Sequence, residues 1–389
     1  MSIYDHEKNL KRVEKRIREA EYSEKNKANI FRFENYLFAK GLTTVRVLKY
    51  LSQINIISRE LGIDFEDATK DDIERYVASV ERSKKAAWTK KDYKQCLKRF
   101  YKWMNGDEEE HPLTKWISLK MQKNTKKLPE ELLNQEEVMR MIEVARNSRD
   151  RAMAACWYDG GARVGESGNL KLKHVIFDQY GVVVMVGKED GKTGMRRVRL
   201  VFSAPYLAEW INDHPDKNNP NAYLWINLGT KNYGAQMKYD SIRRAIIRLA
   251  ERANIEKRVF NHLFRHSRAT ELAEHLTQAQ MEDHLGWIHG SDMPEIYIHM
   301  SGKQLDEPLL KMAGIIKEED ESKTLKPVIC TRCKTMNGPT CDFCSSCGMA
   351  LTIEASKSIE KRRSDISMAL MELVEKDPEV AKVLRGVIE

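Results

Sequence analysis

Long apolar runs are missing from this chain: no stretch approaches the ~20 residues that a membrane-spanning helix needs. A signal peptide is missing as well, since the first residues carry Asp5, Glu7 and a series of lysines. Both absences point to a cytoplasmic protein. Cysteine is scarce before residue 325, where only Cys96 and Cys156 occur, each in an apolar helical context that suits a core position. Strand-like alternation is absent before residue 127, which predicts an all-helical first third.

Acidic residues are outnumbered by basic ones in that third. Residues 1–127 hold 29 Lys and Arg against 20 Asp and Glu, so they carry the whole of the chain's net charge of +8. Between Arg82 and Trp103 nine basic residues face the single acid Asp92, interleaved with Trp88, Tyr93, Phe100, Tyr101 and Trp103. A basic face over an aromatic core suits a helical module lying along a phosphate backbone. Helical spacing recurs in Ile30, Phe33, Tyr36 and Leu37 and in Val47, Leu48, Leu51, Ile54 and Ile57. Thr69-Lys70-Asp71-Asp72 has the form of a capping box opening Ile73 to Val80, and with Tyr93 to Met104 this makes about four helices. The basic stretch Lys120 to Pro129 reads as an interdomain linker.

At 389 residues, 41% hydrophobic and 32% charged, the chain is long for one core and is expected to form two or more soluble domains. Past the linker, Asn134-Gln135-Glu136-Glu137 opens a helix over Val138 to Ala145. The only clear β signal lies in residues 175–201, with Val182, Val183, Val184 and Val186 joined through Gly187 to Gly194 to Arg197–Val201. Helical patterns resume at Tyr206 to Ile211 and Ser241 to Ala253. The expected fold is mostly α with a small antiparallel sheet: an all-helical domain to residue 127, a mixed α/β domain over 128–315, a small ribbon over 326–352 that holds Cys330, Cys333, Cys344 and Cys347, and a helical tail over 353–389.

Two clusters carry chemistry suited to a phosphodiester. His262-Leu263-Phe264-Arg265-His266 is followed by Glu295-Ile296-Tyr297-Ile298-His299, and Tyr158-Asp159-Gly160-Gly161-Ala162-Arg163-Val164-Gly165-Glu166 sets a second arginine on a glycine turn. Two guanidinium forks stabilise charge developing on phosphorus without a metal. A tyrosine with an intrinsic pKa of about 10 requires such cations or a base before it attacks.

This set resembles the tyrosine recombinase, or phage integrase, family over roughly residues 20–312. Ala162–Glu166 is similar to the family's first box, with Arg163 as its arginine and Glu166 as the acidic companion; His262–His266 is similar to the second, with His262 and Arg265. Leu285-Gly286-Trp287 stands where most members have Leu-Gly-His, and Ile296-Tyr297-Ile298-His299 matches the Tyr-x-His ending with Tyr297 as nucleophile. Trp287 offers one indole N–H to a phosphate oxygen, while His289 competes for that role because the interval to Tyr297 is one residue longer than expected. Tyr233 and Tyr239 are further tyrosines that chemistry alone does not separate from Tyr297. Lys188 resembles the family's hairpin lysine and would act as general acid, with Lys192 a nearby competitor. His262 would orient the phosphate or act as acid/base, and His266 is expected to pack or bond within its helix.

The resemblance implies a recombinase that clamps double-stranded DNA between residues 1–127 and the catalytic domain, cuts it through a 3'-phosphotyrosyl link and frees a 5'-hydroxyl, using no cofactor for catalysis. It also implies four protomers around two DNA sites. Two other readings use the same scaffold: a type IB topoisomerase-like enzyme, and a non-catalytic DNA-binding regulator. The joint presence of Arg163, Lys188, His262, Arg265 and Tyr297 argues against the regulator, and the helical first domain favours the recombinase over the topoisomerase.

An independent signal follows residue 325. Cys330-x-x-Cys333 and Cys344-x-x-Cys347, ten residues apart, have the spacing of two knuckles around one tetrahedral zinc, which would be structural because thiolates fill all four positions. Cys341 could pair with Cys344 as an alternative knuckle, leaving Cys347 unused. A ribbon appended in this way resembles archaeal integrase-like proteins. The tail, with Ile359, Ile366, Met368, Leu370, Leu373, Val380 and Leu384, reads as one or two amphipathic helices for packing or association.

Overall fold

The structure, a computed structural model, describes residues 2–120, 131–187, 195–298, 313 and 325–376. It divides into two compact units, Tyr4–Thr125 and a second made of residues 126–389 with the first three residues of the chain.

The first unit is helical: α1 (His6–Arg18), α2 (Glu24–Ala39), α3 (Thr44–Leu61), α4 (Lys70–Arg82) and α5 (Ala87–Met104). Local chemistry sets the ends. The Ser23 hydroxyl caps α2, Thr69 and Asp72 form the anticipated capping box on α4, and α3 stops at Gly62, whose φ of 71° is left-handed. Helix α1 was not anticipated: only Val13 and Ile17, one turn apart, bury from an otherwise charged segment. Ile30, Phe33, Leu37, Val47, Leu51, Ile54, Ile57, Leu97 and Phe100 form the core, with Phe33 edge-on to Phe100 at 5.1 Å. Among the basic residues, Lys94 is buried and pairs with Glu81 at 2.7 Å, and Arg32 lies 5.8 Å over the Trp103 ring.

The second unit opens with α6 (Gln135–Glu143), capped by Asn134 and Glu137, then α7 (Ser148–Gly160) and the short α8 (Val164–Ser167). A three-stranded antiparallel sheet follows, β1 (Val175–Asp178), β2 (Gly181–Gly187) and β3 (Met195–Leu200), in the order β1-β2-β3. Central β2 buries Val182, Val183, Val184 and Val186, and its register sets Val182 opposite Leu200, Val184 opposite Val198 and Val186 opposite Arg196. Edge strand β1 leaves Ile176 and Phe177 exposed.

Helices α9 (Ala204–Asp213), α10 (Tyr239–Arg252), α11 (Asn261–Leu272), α12 (Gln278–Leu285) and α13 (Met293–Ile298) complete the mixed region. After it come a two-stranded ribbon, β4 (Val328–Ile329) and β5 (Met336–Asn337), and helix α14 (Ile353–Lys376). The ribbon rests on α9, where the Tyr206 hydroxyl pairs with Thr340 Oγ1 at 2.5 Å and accepts the Thr340 amide at 3.2 Å. No helix among the described residues is long and apolar enough to cross a membrane.

Candidate active site

The site begins at a turn that only glycine permits. Helix α7 ends at Gly161 with φ of 55°, and a Cβ there would meet Leu285 Cδ2 at 3.0 Å and Arg268 at 3.4 Å. The turn sets Arg163 at the start of α8. Its Nη1 donates to Glu166 Oε1 and to the Gly286 carbonyl, both at 3.1 Å, and its backbone N–H reaches Glu166 Oε2 at 3.0 Å.

Glu166 is gripped a second time, by Arg196 of β3, through Nη1 at 3.1 Å and Nη2 at 2.9 Å, while Arg196 Nε donates to the His284 carbonyl at 3.0 Å. Burial pushes the Glu166 carboxyl up, but the Arg196 fork and the Arg163 contacts outweigh it and hold the group below its ordinary range. Gly286 carries the same mark of fit: its φ is 64°, and a Cβ would fall 2.6 Å from Arg196 Nη1. Arg196 thus joins the sheet, the first arginine turn and the end of α12, a role the sequence reading missed.

Helix α11 supplies the second half. Arg265 is 1% exposed, donates from Nη1 to the Gly161 carbonyl at 3.0 Å and lies 5.4 Å over the Trp287 ring. Its Nη2 is buried and has no hydrogen-bond partner among the described residues. Burial lowers its pKa to about 10, helped by the nearby Arg163 charge, so it remains a cation at neutral pH. A buried guanidinium with a spare donor is suited to receive an anion.

Tyr297 comes in on α13 and is 2% exposed. Its ring stacks on Trp287 at 5.4 Å and 15°, and its hydroxyl lies 2.7 Å from His266 Nδ1. Burial raises the phenol pKa, an effect partly countered by Arg265 and Arg163. His262 is exposed one turn before His266, with its ring 4.6 Å away and edge-on. His266 was expected to pack or hydrogen-bond within its helix; it does pack against His262 there, and in addition its Nδ1 meets the tyrosine hydroxyl.

Of the residues left open by the sequence, Trp287 joins this cluster and His289 does not. His289 is bonded to Glu282 at 3.0 Å and to Asp283 at 3.3 Å, on the acidic side of α12. Tyr233 is exposed in a loop, and Tyr239 opens α10 with its amide bonded to the Ile3 carbonyl. Lys188 and Lys192 fall between β2 and β3, outside the described residues. Behind the site, Arg268 bridges Asp159 and Glu271 at 3.3 and 2.7 Å, and Asp159 also accepts from the Val201 and Ser203 amides.

The second candidate centre is the ribbon. The thiol sulfurs of Cys330, Cys333, Cys344 and Cys347 lie within 4.8 Å of one another, with Cys330 to Cys347 at 3.6 Å and Cys333 to Cys344 at 3.4 Å. A tetrahedron with metal–sulfur distances of ~2.3 Å has edges of about 3.8 Å, so this donor set fits a metal ion. Two matching turns present it: Lys334 N–H bonds the Cys330 carbonyl at φ of 62°, and Gly348 N–H bonds the Cys344 carbonyl at φ of 69°. Cys341 stands outside the group, its amide held by the Gly338 carbonyl.

Two arginines, a histidine pair and a buried tyrosine thus converge in a mostly helical unit with a small antiparallel sheet. Comparison with known proteins finds that residues 131–304 match the phage integrase family. It is 26% identical to tyrosine recombinase XerD of Bifidobacterium longum over 292 residues, covering 70% of this chain and 92% of that protein. It is 25% identical to transposase A of transposon Tn554 from Staphylococcus aureus over 181 residues, 44% of this chain, and spans only 50% of that relative's length. Among solved structures, XerH site-specific recombinase in a post-cleavage complex with its difH substrate is similar at a TM-score of 0.56 and 18% identity, covering 78% of this chain and 95% of XerH.

Proposed function

We propose that the protein is a site-specific DNA recombinase in which Tyr297 cuts one strand of double-stranded DNA, forms a 3'-phosphotyrosyl link and frees a 5'-hydroxyl. The observation that carries the reading is the buried Tyr297 hydroxyl in one cluster with Arg265, Trp287 and His266 of the same chain. Arg163 and Arg265 neutralise the charge that grows on the phosphate oxygens, and the Trp287 indole donates to one of them. His262, exposed at the rim, orients the phosphate, and Lys188 protonates the leaving oxygen. The bond energy stays in the phosphotyrosine, so no nucleotide or catalytic metal is required.

The basic first unit supplies phosphate contacts along the duplex, and two DNA sites are exchanged within an assembly of four protomers in the cytoplasm. Zinc bound by Cys330, Cys333, Cys344 and Cys347 stabilises the ribbon and takes no part in the chemistry. Helix α14 leaves Ile366, Leu370 and Leu373 exposed, a face suited to association with another chain.

The test is a nicked suicide duplex incubated with the protein without added metal. A covalent adduct is expected from the native chain and none from Tyr297→Phe; an adduct that survives in that variant refutes the assignment. Exchange between two labelled sites, set against relaxation of a plasmid lacking a site, separates a recombinase from a topoisomerase.

A further inference from the structure

We propose that His266 is a catalytic residue that takes the phenolic proton of Tyr297 as the tyrosine attacks phosphorus, an inference that rests on the recombinase reading above. The His266 Nδ1 lies 2.7 Å from the Tyr297 hydroxyl, inside the reach that general-base catalysis requires. Packing fixes the contact from both sides. Trp287 lies parallel to the tyrosine ring at 15°, and the His266 ring tilts 33° to it with centroids 5.8 Å apart.

Helix periodicity divides the work within the second box. His262 and His266 are four residues apart and share one face of α11, so the two rings meet edge-on at 4.6 Å. The outer ring, His262, is exposed, and the inner one is half-buried against the tyrosine. Arg265 between them turns inward beneath Trp287. An acid/base role given to His262 alone would leave the histidine that touches the nucleophile without a task.

The site also needs a base in contact. Burial disfavours the Tyr297 phenolate, and the Arg265 and Arg163 charges only partly offset this, so the phenol keeps its proton until it reacts. A neutral His266 protonated on Nε2 presents a lone pair at Nδ1. As the Tyr297 oxygen bonds to phosphorus and the bond to the 5' oxygen breaks, the phenolic proton moves to Nδ1. The leaving oxygen takes its proton from Lys188, the acid named above. Tyr297 thus loses a proton to His266 and the leaving oxygen gains one from Lys188; in the reverse step Lys188 takes the proton of the attacking 5'-hydroxyl while His266 returns its own to the leaving phenolate. Among the described residues, the charged or titratable groups at this contact include Tyr297 from α13 and His262 on α11 itself, with the Arg265 and Arg163 charges acting on the tyrosine.

The experiment measures single-turnover adduct formation on the nicked duplex by the full chain, with DNA affinity recorded in parallel, from pH 6 to pH 10. His266→Asn keeps a short hydrogen-bonding side chain but cannot take a proton, and His266→Gln is the second such variant in case one folds poorly. Expected are unchanged DNA affinity and adduct formation slowed about 10²- to 10⁴-fold near neutrality, the usual worth of a general base. The deficit should narrow as pH rises, because hydroxide then takes the phenolic proton. A role limited to packing would give the same deficit at every pH, and that result overturns the proposal. So does a rate within threefold of the native chain for a folded variant. If the native chain itself makes no Tyr297-dependent adduct, the recombinase reading falls first, an outcome distinct from a normal adduct in the variants.

Discussion

Replacing Arg196 by Met should separate the stability of the site from its chemistry. Arg196 and Glu166 are 12% and 17% exposed and joined by two hydrogen bonds, so the change removes a fork and leaves a carboxylate in a poorly solvated place. Breaking a buried pair by deleting one partner costs about 3–5 kcal/mol. Glu166 keeps two donors, the Arg163 Nη1 and backbone N–H, which brings the expected loss to about 2–3 kcal/mol. For a unit of this size that is a fall in melting temperature of roughly 5–10 °C at pH 7. The pH dependence has a fixed sign. The folded Glu166 carboxyl sits below its ordinary value of 4.5, so its ionised contacts stabilise the fold above that pH and are lost as pH falls through the folded value. The deficit of Arg196→Met should therefore be full at pH 7 and shrink below about pH 4. Scanning calorimetry at both values measures it. A loss under about 1 °C at pH 7, or the same loss at both, refutes the ion-pair account. Arg196→Lys, lacking the planar fork, should recover only part of the loss.

Two further outcomes follow from the geometry. Gly286→Ala combines a left-handed φ with a Cβ placed against the Arg196 guanidinium, and should lower stability by about 1–3 kcal/mol while slowing adduct formation, because the Gly286 carbonyl also braces Arg163; normal cleavage and melting would show that the segment yields freely. Cys347→Ser should abolish zinc retention measured by elemental analysis whereas Cys341→Ser should keep it, since only Cys347 lies with the other three sulfurs; equal retention in both would mean the knuckles are misassigned.

The residues readable from sequence are those whose side-chain type is dictated by the reaction. Arg163, Arg265 and Tyr297 stood out through their joint occurrence and the resemblance it carries, and the structure sets Arg265 and Tyr297 against Trp287 with the Arg163 charge acting on the same tyrosine. Arg196 was hidden for a different reason. Strand β3 offers Arg196, Arg197 and Arg199 within four residues, and only the register with β2, which sets Arg196 opposite Val186, decides that this arginine turns toward Glu166 while Arg199 pairs with Asp178 at the sheet edge. Register is a tertiary property, fixed by which face of the sheet is buried. Strand β1 lay within the β signal of residues 175–201 but was not separated as a strand of its own, because its exposed Ile176 and Phe177 give an edge strand no alternation to read. Helix α1 did so because two buried residues are too few for a periodic pattern.

The histidine pair shows where local reasoning stops. Positions four apart on a helix present one face, so His262 and His266 are equivalent candidates to any argument that uses α11 alone. What distinguishes them is the approach of α13, and that is set by the path after α12. Gly286 ends α12 in the left-handed region, the chain turns back so that the Trp287 amide bonds the Glu282 carbonyl, and the indole is left facing Arg265 and the tyrosine. Trp287 is a larger platform than histidine. Parallel stacking against it at 5.4 Å holds the tyrosine ring where its hydroxyl meets the inner histidine, although the outer one carries the family motif. The departure from Leu-Gly-His and the unexpected partner of Tyr297 are therefore one feature: a ring that stacks where a smaller side chain would only donate a hydrogen bond.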